Sequence, residues 1–137
     1  MSTLHLSVTT PEKELLNDEV DEIIVPTTSG ELTILPEHAA LLAQLTPGEL
    51  TIKKGSKTDH LVVVGGFLEV SKNVVSILAD YAVHGKDISE AQAQQAKDRA
   101  EKAMKEKKSD VDFATAEAEF RRAILELKVA KRQRGTI

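Results

Sequence analysis

The sequence predicts an all-β flattened sandwich or barrel followed by a C-terminal antiparallel α-helical hairpin. Three observations carry this reading. All four prolines and six of the seven glycines lie before residue 87. Short alternating or β-branched runs, broken by turn residues, fill that same stretch. Beyond it, alanine-rich segments recur at helical spacing, with no proline and a single glycine, Gly135.

The elements follow in order. Leu4-His5-Leu6-Ser7-Val8 alternates, as do Leu32 to Leu35, Leu50-Thr51-Ile52 and Phe67 to Val70. Such alternation marks strands with one buried face. Ile23-Ile24-Val25, Leu61 to Val64 and Val74 to Leu78 are β-branched runs, which suits strands buried on both faces. Asn17-Asp18, Ser29-Gly30, Pro47-Gly48, Lys54-Gly55 and Lys72-Asn73 are the expected turns. A parallel α/β sheet would need helical segments between the strands, and none is present.

Ser89 with Gln92 forms a capping-box pattern that starts a helix. Ala93, Ala96, Ala100, Ala103 and Met104 then share one face. Lys107-Lys108-Ser109-Asp110 is the expected break, and Asp110 or Asp112 the expected cap of a second helix. Its stripe is Phe113, Ala116, Phe120, Ile124 with Ala123, Leu127 and Ala130, running to about Arg134. So short a break implies an antiparallel pair. The composition changes at Gly85-Lys86-Asp87, giving a β domain over 1–86 and a hairpin domain over 87–137. Alanine is the best helix former but buries little area, so the expected hairpin has robust helices and a weak interface.

Composition excludes several functions. The chain of 137 residues carries 18 basic and 22 acidic side chains, net −4, unlike a strongly cationic nucleic-acid binder. That average conceals an acidic first domain, net −6, and a hairpin of net +2. With no cysteine there is no disulfide scaffold, thiolate metal site or thiol nucleophile. No apolar run is long enough to span a membrane, and no signal or transit segment is expected at the N-terminus.

Candidate chemistry is sparse. Gly65-Gly66-Phe67 lacks the Lys-Ser/Thr tail of a phosphate loop. The four histidines lack metal-ligand spacing, so no metal is expected. His5 and His60 read as ordinary strand residues. His38, in Leu35-Pro36-Glu37-His38-Ala39, sits in an exposed turn suited to a contact. No Gly-x-Ser-x-Gly elbow presents a nucleophile. The acidic run Asp18 to Glu22 lacks EF-hand spacing and reads as a solvated strand edge. The basic segment Arg121, Arg122, Lys128, Lys131, Arg132 and Arg134 has three readings. It is a solvated helix end, a surface that docks on an acidic protein, or a nucleic-acid contact.

The order of these features resembles the epsilon subunit family of F-type ATP synthases. Gly30 to Ala39 is similar to its Gly-x-x-Gly-Ile-Leu-Pro-x-His segment, with Thr33 where that family usually has glycine. Gly65 to Val70 is similar to its Gly-Gly-Phe segment, and Val75 to Ala82 to its last sandwich strand. Asp18 to Pro26 and Leu4 to Pro11 also fit, so the resemblance spans the chain. It implies a non-catalytic subunit of the central stalk that binds gamma and the rotor ring and couples proton-driven rotation to ATP synthesis. It implies a peripheral place on the cytoplasmic face of the bacterial membrane, without membrane insertion or nucleic acid. It also implies a hairpin that opens along gamma and inhibits ATP hydrolysis, using basic residues against an acidic segment of the catalytic beta subunit.

The same resemblance places Glu31 and His38 at the contact with the rotor ring and gamma. It places Arg121, Arg122, Lys128, Lys131, Arg132 and Arg134 at the inhibitory basic positions. Some members bind ATP through an Ile/Leu-Asp-x-x-Arg-Ala motif. Here that motif is degenerate, with Ile88 and Ala93 kept but Ser89 for the Asp and Gln92 for the Arg. Arg99 and Arg122 remain, while Glu126 replaces a further arginine. Losing charge-assisted hydrogen bonds worth about 1.5–3 kcal/mol each leaves an expectation of very weak ATP binding or none, and no cofactor.

Overall fold

The computed structural model describes residues 2–106 and 109–135. The chain divides into two compact units, one running to His84 and one starting at Gly85. The described strands of the first unit are β1 (Leu4–Thr9), β2 (Glu14–Val20), β3 (Glu22–Thr27), β4 (Gly30–Ile34) and β5 (Leu41–Gln44). They continue with β6 (Gly48–Lys54), β7 (Lys57–Val64), β8 (Phe67–Ser71), β9 (Val74–Leu78) and β10 (Tyr81–His84). They form two five-stranded sheets, ordered β2-β1-β9-β8-β5 and β10-β7-β6-β3-β4. Every pairing is antiparallel except β1 with β9, where His5 meets Val74 and Thr9 meets Leu78.

Alternation puts one face of each sheet inside. Leu4, Leu6 and Val8 of β1 are wholly buried, as are Ile23 and Val25 of β3, Leu50 of β6 and Leu61 of β7. Leu68, Val70, Val75 and Ile77, in the same sheet as β1, complete the layer. Among the described residues this core holds no aromatic side chain. Branched aliphatic chains fill the gap between sheets, and their stiff side chains suit the pleated surface.

Two turns explain the motifs. β7 ends in one sheet and β8 begins in the other, with only Gly65 and Gly66 between them. Gly66 adopts φ 103°, and a Cβ there would run into the Leu78 carbonyl oxygen. Its own carbonyl accepts from the Leu45 N–H at 2.8 Å. Only glycine fits this close crossing. At Leu35–His38, Pro36 and Glu37 (φ 69°) form a type II turn closed by His38 N–H to Leu35 O at 3.2 Å. Asn73 secures it, accepting from the Glu37 N–H at 2.7 Å and donating to Glu37 Oε1 at 2.9 Å.

The structure corrects three expectations in this unit. Asn17 and Asp18 lie inside β2 rather than in a turn, because Thr10 and Lys13 close the preceding turn instead. Val74 to Leu78 is buried on one face only, with Val74 47% and Leu78 59% exposed. Ile23-Ile24-Val25 likewise alternates, with Ile24 only half-buried between buried Ile23 and Val25, while Thr33 opposite it lies in β4 as the strand pattern predicts.

The second unit opens with a 3-10 turn, Gly85–Asp87, followed by helices α1 (Glu90–Glu106) and α2 (Asp110–Gln133) packed on each other. Ser89 Oγ accepts from the Gln92 N–H at 3.2 Å and starts α1. The cap of α2 is Ser109 rather than Asp110 or Asp112. Its Oγ accepts from the Asp112 N–H at 3.0 Å, and both aspartates lie inside the first turn, favoured by the helix dipole. Lys107 and Lys108 of the expected break lie outside the described residues. Ala93 and Ala100 of α1 are buried, as are Ala116, Ala123, Leu127 and Ala130 of α2. Ile124 is 41% exposed, so Ala123 holds the place in the seam that the sequence left shared between them.

Gly66→Ala is expected to lower the unfolding free energy of the sandwich by about 2 kcal/mol or more, through strain at positive φ and the carbonyl clash. Urea unfolding followed by circular dichroism reads this as a lower midpoint.

Candidate functional site

Burial accounts for the inner face of each sheet but not for the apolar groups outside. Leu42 of β5 is 70% exposed, Phe67 of β8 55% and Leu78 of β9 59%. Phe67 pairs directly with Leu78, and β5 joins through Gln44 opposite Phe67. Phe67 and Leu78 thus neighbour each other on the outer face of one sheet, with Leu42, opposite Glu69, on the same face and diagonal to Phe67. Exposed apolar groups gathered on one sheet face mark an interaction surface. Sequence reasoning missed it. The available signal was that Phe67 shares the face of Glu69, opposite Leu68 and Val70, and so points away from the core.

Glu31 is exposed on β4, the edge of the other sheet, opposite Pro26. His38 is half-buried in the turn after that strand, and its Nδ1 donates to the Ala39 carbonyl at 2.8 Å. The other histidines have strand neighbours. His5 Nδ1 lies 2.9 Å from Glu19 Oε1, His60 Nδ1 3.5 Å from Glu49 Oε2, and His84 Nε2 donates to the Leu15 carbonyl at 3.0 Å.

The acidic run is neutralised locally. Lys54 Nζ donates to both oxygens of Asp18, at 3.0 and 2.8 Å, bridging the two sheets. The Gly55 N–H donates to Asp21 Oδ2 at 2.6 Å, and Lys53 pairs with Glu22 at 3.0 Å. The hydrogen bond from Lys54, then that from the Glu19 N–H, holds the Asp18 carboxyl below the usual carboxylate range. Thr3 first and His5 second do the same for Glu19, while Asp18 raises Lys54. Among the described residues no group of three or more histidines and carboxylates is placed to hold a metal ion.

In the hairpin, the basic residues separate into different settings. Arg121, Lys128 and Arg132 follow one another at i, i+7 and i+11, all exposed, on the side of α2 away from its buried alanines. Lys131 is exposed beside that row. Arg121 reaches Glu117 at 3.4 Å, a solvent-exposed pair of little strength. Arg122 Nε donates to Glu126 Oε1 at 3.1 Å. Arg134 turns back to α1 and donates to the Ile88 carbonyl at 2.7 Å.

Arg99 and Arg122 line one groove of about 280 Å³ together with Ala96, Glu119, Ala123 and Glu126. The two guanidinium groups therefore share it with two carboxylates. Of the degenerate motif, Ile88 and Ala93 are buried and Ser89 caps α1. Gln92 is exposed on the first turn of α1. No helix among the described residues is long and apolar enough to cross a membrane.

The fold and its surfaces define a two-domain protein, a β-sandwich with an uncovered apolar sheet face and an α-helical hairpin with a basic row. The family model described as "ATP synthase, Delta/Epsilon chain, beta-sandwich domain" matches residues 3–85. The model described as "ATP synthase, Delta/Epsilon chain, long alpha-helix domain" matches residues 86–131. The chain belongs to the delta/epsilon chain family of the ATP synthases. It is 45% identical to the ATP synthase epsilon chain of Halalkalibacterium halodurans over 133 residues, covering 96% of this chain and 100% of that one. It is 42% identical to the ATP synthase epsilon chain of Nitratidesulfovibrio vulgaris over 127 residues, 93% of this chain and 95% of that one. The fold also matches a chain in the Euglena gracilis mitochondrial ATP synthase, with a TM-score of 0.78 at 24% identity. That match covers 96% of this chain and 81% of that one. A chain in the central stalk and c-ring structure of the Tetrahymena thermophila enzyme matches with a TM-score of 0.60 at 20% identity, covering 94% and 97%.

Asp18 has a depressed pKa in the folded state, so it contributes stability above about pH 4 that is lost as the pH falls through its folded value. Lys54 has a raised pKa, so its contribution is lost as the pH rises through its folded value, above about pH 10. Asp18→Asn is therefore expected to flatten both limbs of the stability profile. Thermal melts at pH 3, 7 and 11 test this, and unchanged slopes on both limbs contradict it.

Proposed function

We propose that the chain is the non-catalytic coupling subunit of the central stalk of its ATP synthase. In this reading it binds gamma through the sandwich, meets the rotor ring, and lies at the cytoplasmic face of a bacterial membrane. The observation that carries it is the exposed apolar face of Leu42, Phe67 and Leu78, which belongs to no core. A rotating subunit has to transmit torque through a partner, and apolar burial provides such an attachment. Glu31 and His38, on and after the edge strand β4, supply the polar contact with the rotor ring and gamma.

The hairpin is the regulatory half of the proposal. It exchanges between a closed form and an extended form that lies along gamma. Arg121, Arg122, Lys128, Lys131, Arg132 and Arg134 provide cations for an acidic segment of the catalytic beta subunit, Arg122 and Arg134 exchanging Glu126 and Ile88 for it. The alanine seam keeps the gap between the forms small. Reversing a 1:99 population takes about 5.5 kcal/mol of differential binding. ATP is not assigned as a ligand, because Glu119 and Glu126 face the groove of Arg99 and Arg122 and oppose a polyphosphate.

The double variant F67E/L78E is expected to lose about thirtyfold or more in affinity for gamma while retaining its sheet signal, as removal of a buried interface anchor does. Surface plasmon resonance against gamma measures it, and undiminished affinity rejects this face as the contact. Deleting residues 87–137 is expected to leave assembly intact and raise ATP hydrolysis by the complex. Unchanged hydrolysis removes the inhibitory role and leaves the coupling role standing. Calorimetry on the full chain is expected to show no saturation by ATP below the millimolar range, and micromolar affinity would overturn the exclusion of that ligand.

A further inference from the structure

The basic C-terminal residues do not all stand ready for a partner. Arg134 is the C-cap of α2, with its own N–H bonded to the Ala130 carbonyl at 3.2 Å. Gly135 follows at φ 72°, the left-handed conformation that ends a helix. This termination directs the Arg134 side chain toward the start of α1. Its Nη2 donates to the Ile88 carbonyl at 2.7 Å, and its Nη1 lies 3.3 Å from Glu90 Oε2. Ile88 is buried, and Glu90 is the first residue of α1.

The electrostatics favour this placement twice. The guanidinium sits at the negative pole of α2 and the Glu90 carboxylate at the positive pole of α1. A planar fork also satisfies a carbonyl and a carboxylate together, which a single ammonium does less well. The connection between α1 and α2 closes the other end of the hairpin, and between the two ends the seam is mostly alanine.

We propose that Arg134 is a clasp that locks the open end of the hairpin to the first turn of α1 and thereby sets the hairpin's opening equilibrium. The clasp rests on the two-form hairpin proposed above. It has a consequence for that mechanism, since an acidic partner that takes the guanidinium has to displace Glu90 and draw its donors away from the Ile88 carbonyl. Closure and docking then compete for Arg134, and clasp release precedes its use by a partner.

The chain contains no cysteine, so a pair introduced at exposed Ala91 and Lys128 accepts spin labels site-specifically. Inter-label distances measured on the full chain are expected to show a long-distance fraction about tenfold larger in R134A than in the parent, the effect of losing a charge-assisted hydrogen bond. E90Q removes only the partly exposed ion pair and is expected to give about a twofold increase. R134K falls between them. Coincident distributions for R134A and the parent overturn the clasp. Should R134A lose helicity by circular dichroism, E90Q decides, and no shift there overturns it. In the assembled complex E90Q, which weakens the clasp and leaves the Arg134 cation for a partner, is expected to lower ATP hydrolysis, because an opened hairpin inhibits. A rise in hydrolysis overturns the clasp. Unchanged hydrolysis alongside an opened hairpin upholds the clasp and removes the inhibitory reading.

Discussion

Withdrawal of one aliphatic layer from water, between two five-stranded sheets, is the interaction on which the rest of the sandwich depends. It dictates the alternation along most strands, though not at Leu61, Val62 and Val63 of β7, which are buried in succession, and therefore decides which side chains are left outside. Once Leu68 and Val70 fill the interior, Phe67 has no place there. Its exposure follows from register, and that register makes the outer patch with Leu78. The same layer requires the chain to change sheets within two residues, which is what Gly65 and Gly66 permit. Polar groups then secure the rim, where Lys54 on Asp18 and His84 on the Leu15 carbonyl each join one sheet to the other.

The hairpin is held by a different balance. Its helices draw on local propensity and on serine caps at Ser89 and Ser109, and only modestly on their mutual contact. Burying an alanine in place of a leucine forgoes a few methylenes, each worth about 0.8 kcal/mol. In such a seam one well-placed arginine carries a large share of the closing energy. A core as full as that of the sandwich would submerge the same contribution.

Much of this was legible in the sequence because periodicity reports burial directly. The two-part architecture, the start of α1 at Ser89 and the seam at Ala93, Ala100, Ala116, Ala123 and Ala130 follow from residue spacing, while Ala103, expected on the same face, is exposed. The misreadings share one cause, that spacing does not reveal a strand's neighbours. Asn17-Asp18 has turn composition, yet pairing with β1 carries β2 straight through it. Val74 to Leu78 has the composition of a doubly buried strand, yet nothing in its own sequence discloses that its outer face is bare. Ser109 outcompeted the aspartates because its extended backbone lets Oγ reach the Asp112 N–H. The apolar patch and the turn of Arg134 toward Ile88 depend on residues far apart in the chain, and no local pattern announces them.

The lone parallel pairing of β1 with β9 has a consequence for how the chain comes into being. His5 and Thr9 find their partners at Val74 and Leu78, nearly the whole sandwich later. During synthesis the first strand gains β2 early but waits with its other edge unpaired until the ninth has emerged. Long-range closure of this kind slows folding. The helices that follow are local structures and form quickly. The last-made part of the chain can therefore be ordered almost as soon as the first-made part is complete, and exposure of that waiting edge is the window in which the nascent chain is most open to aggregation.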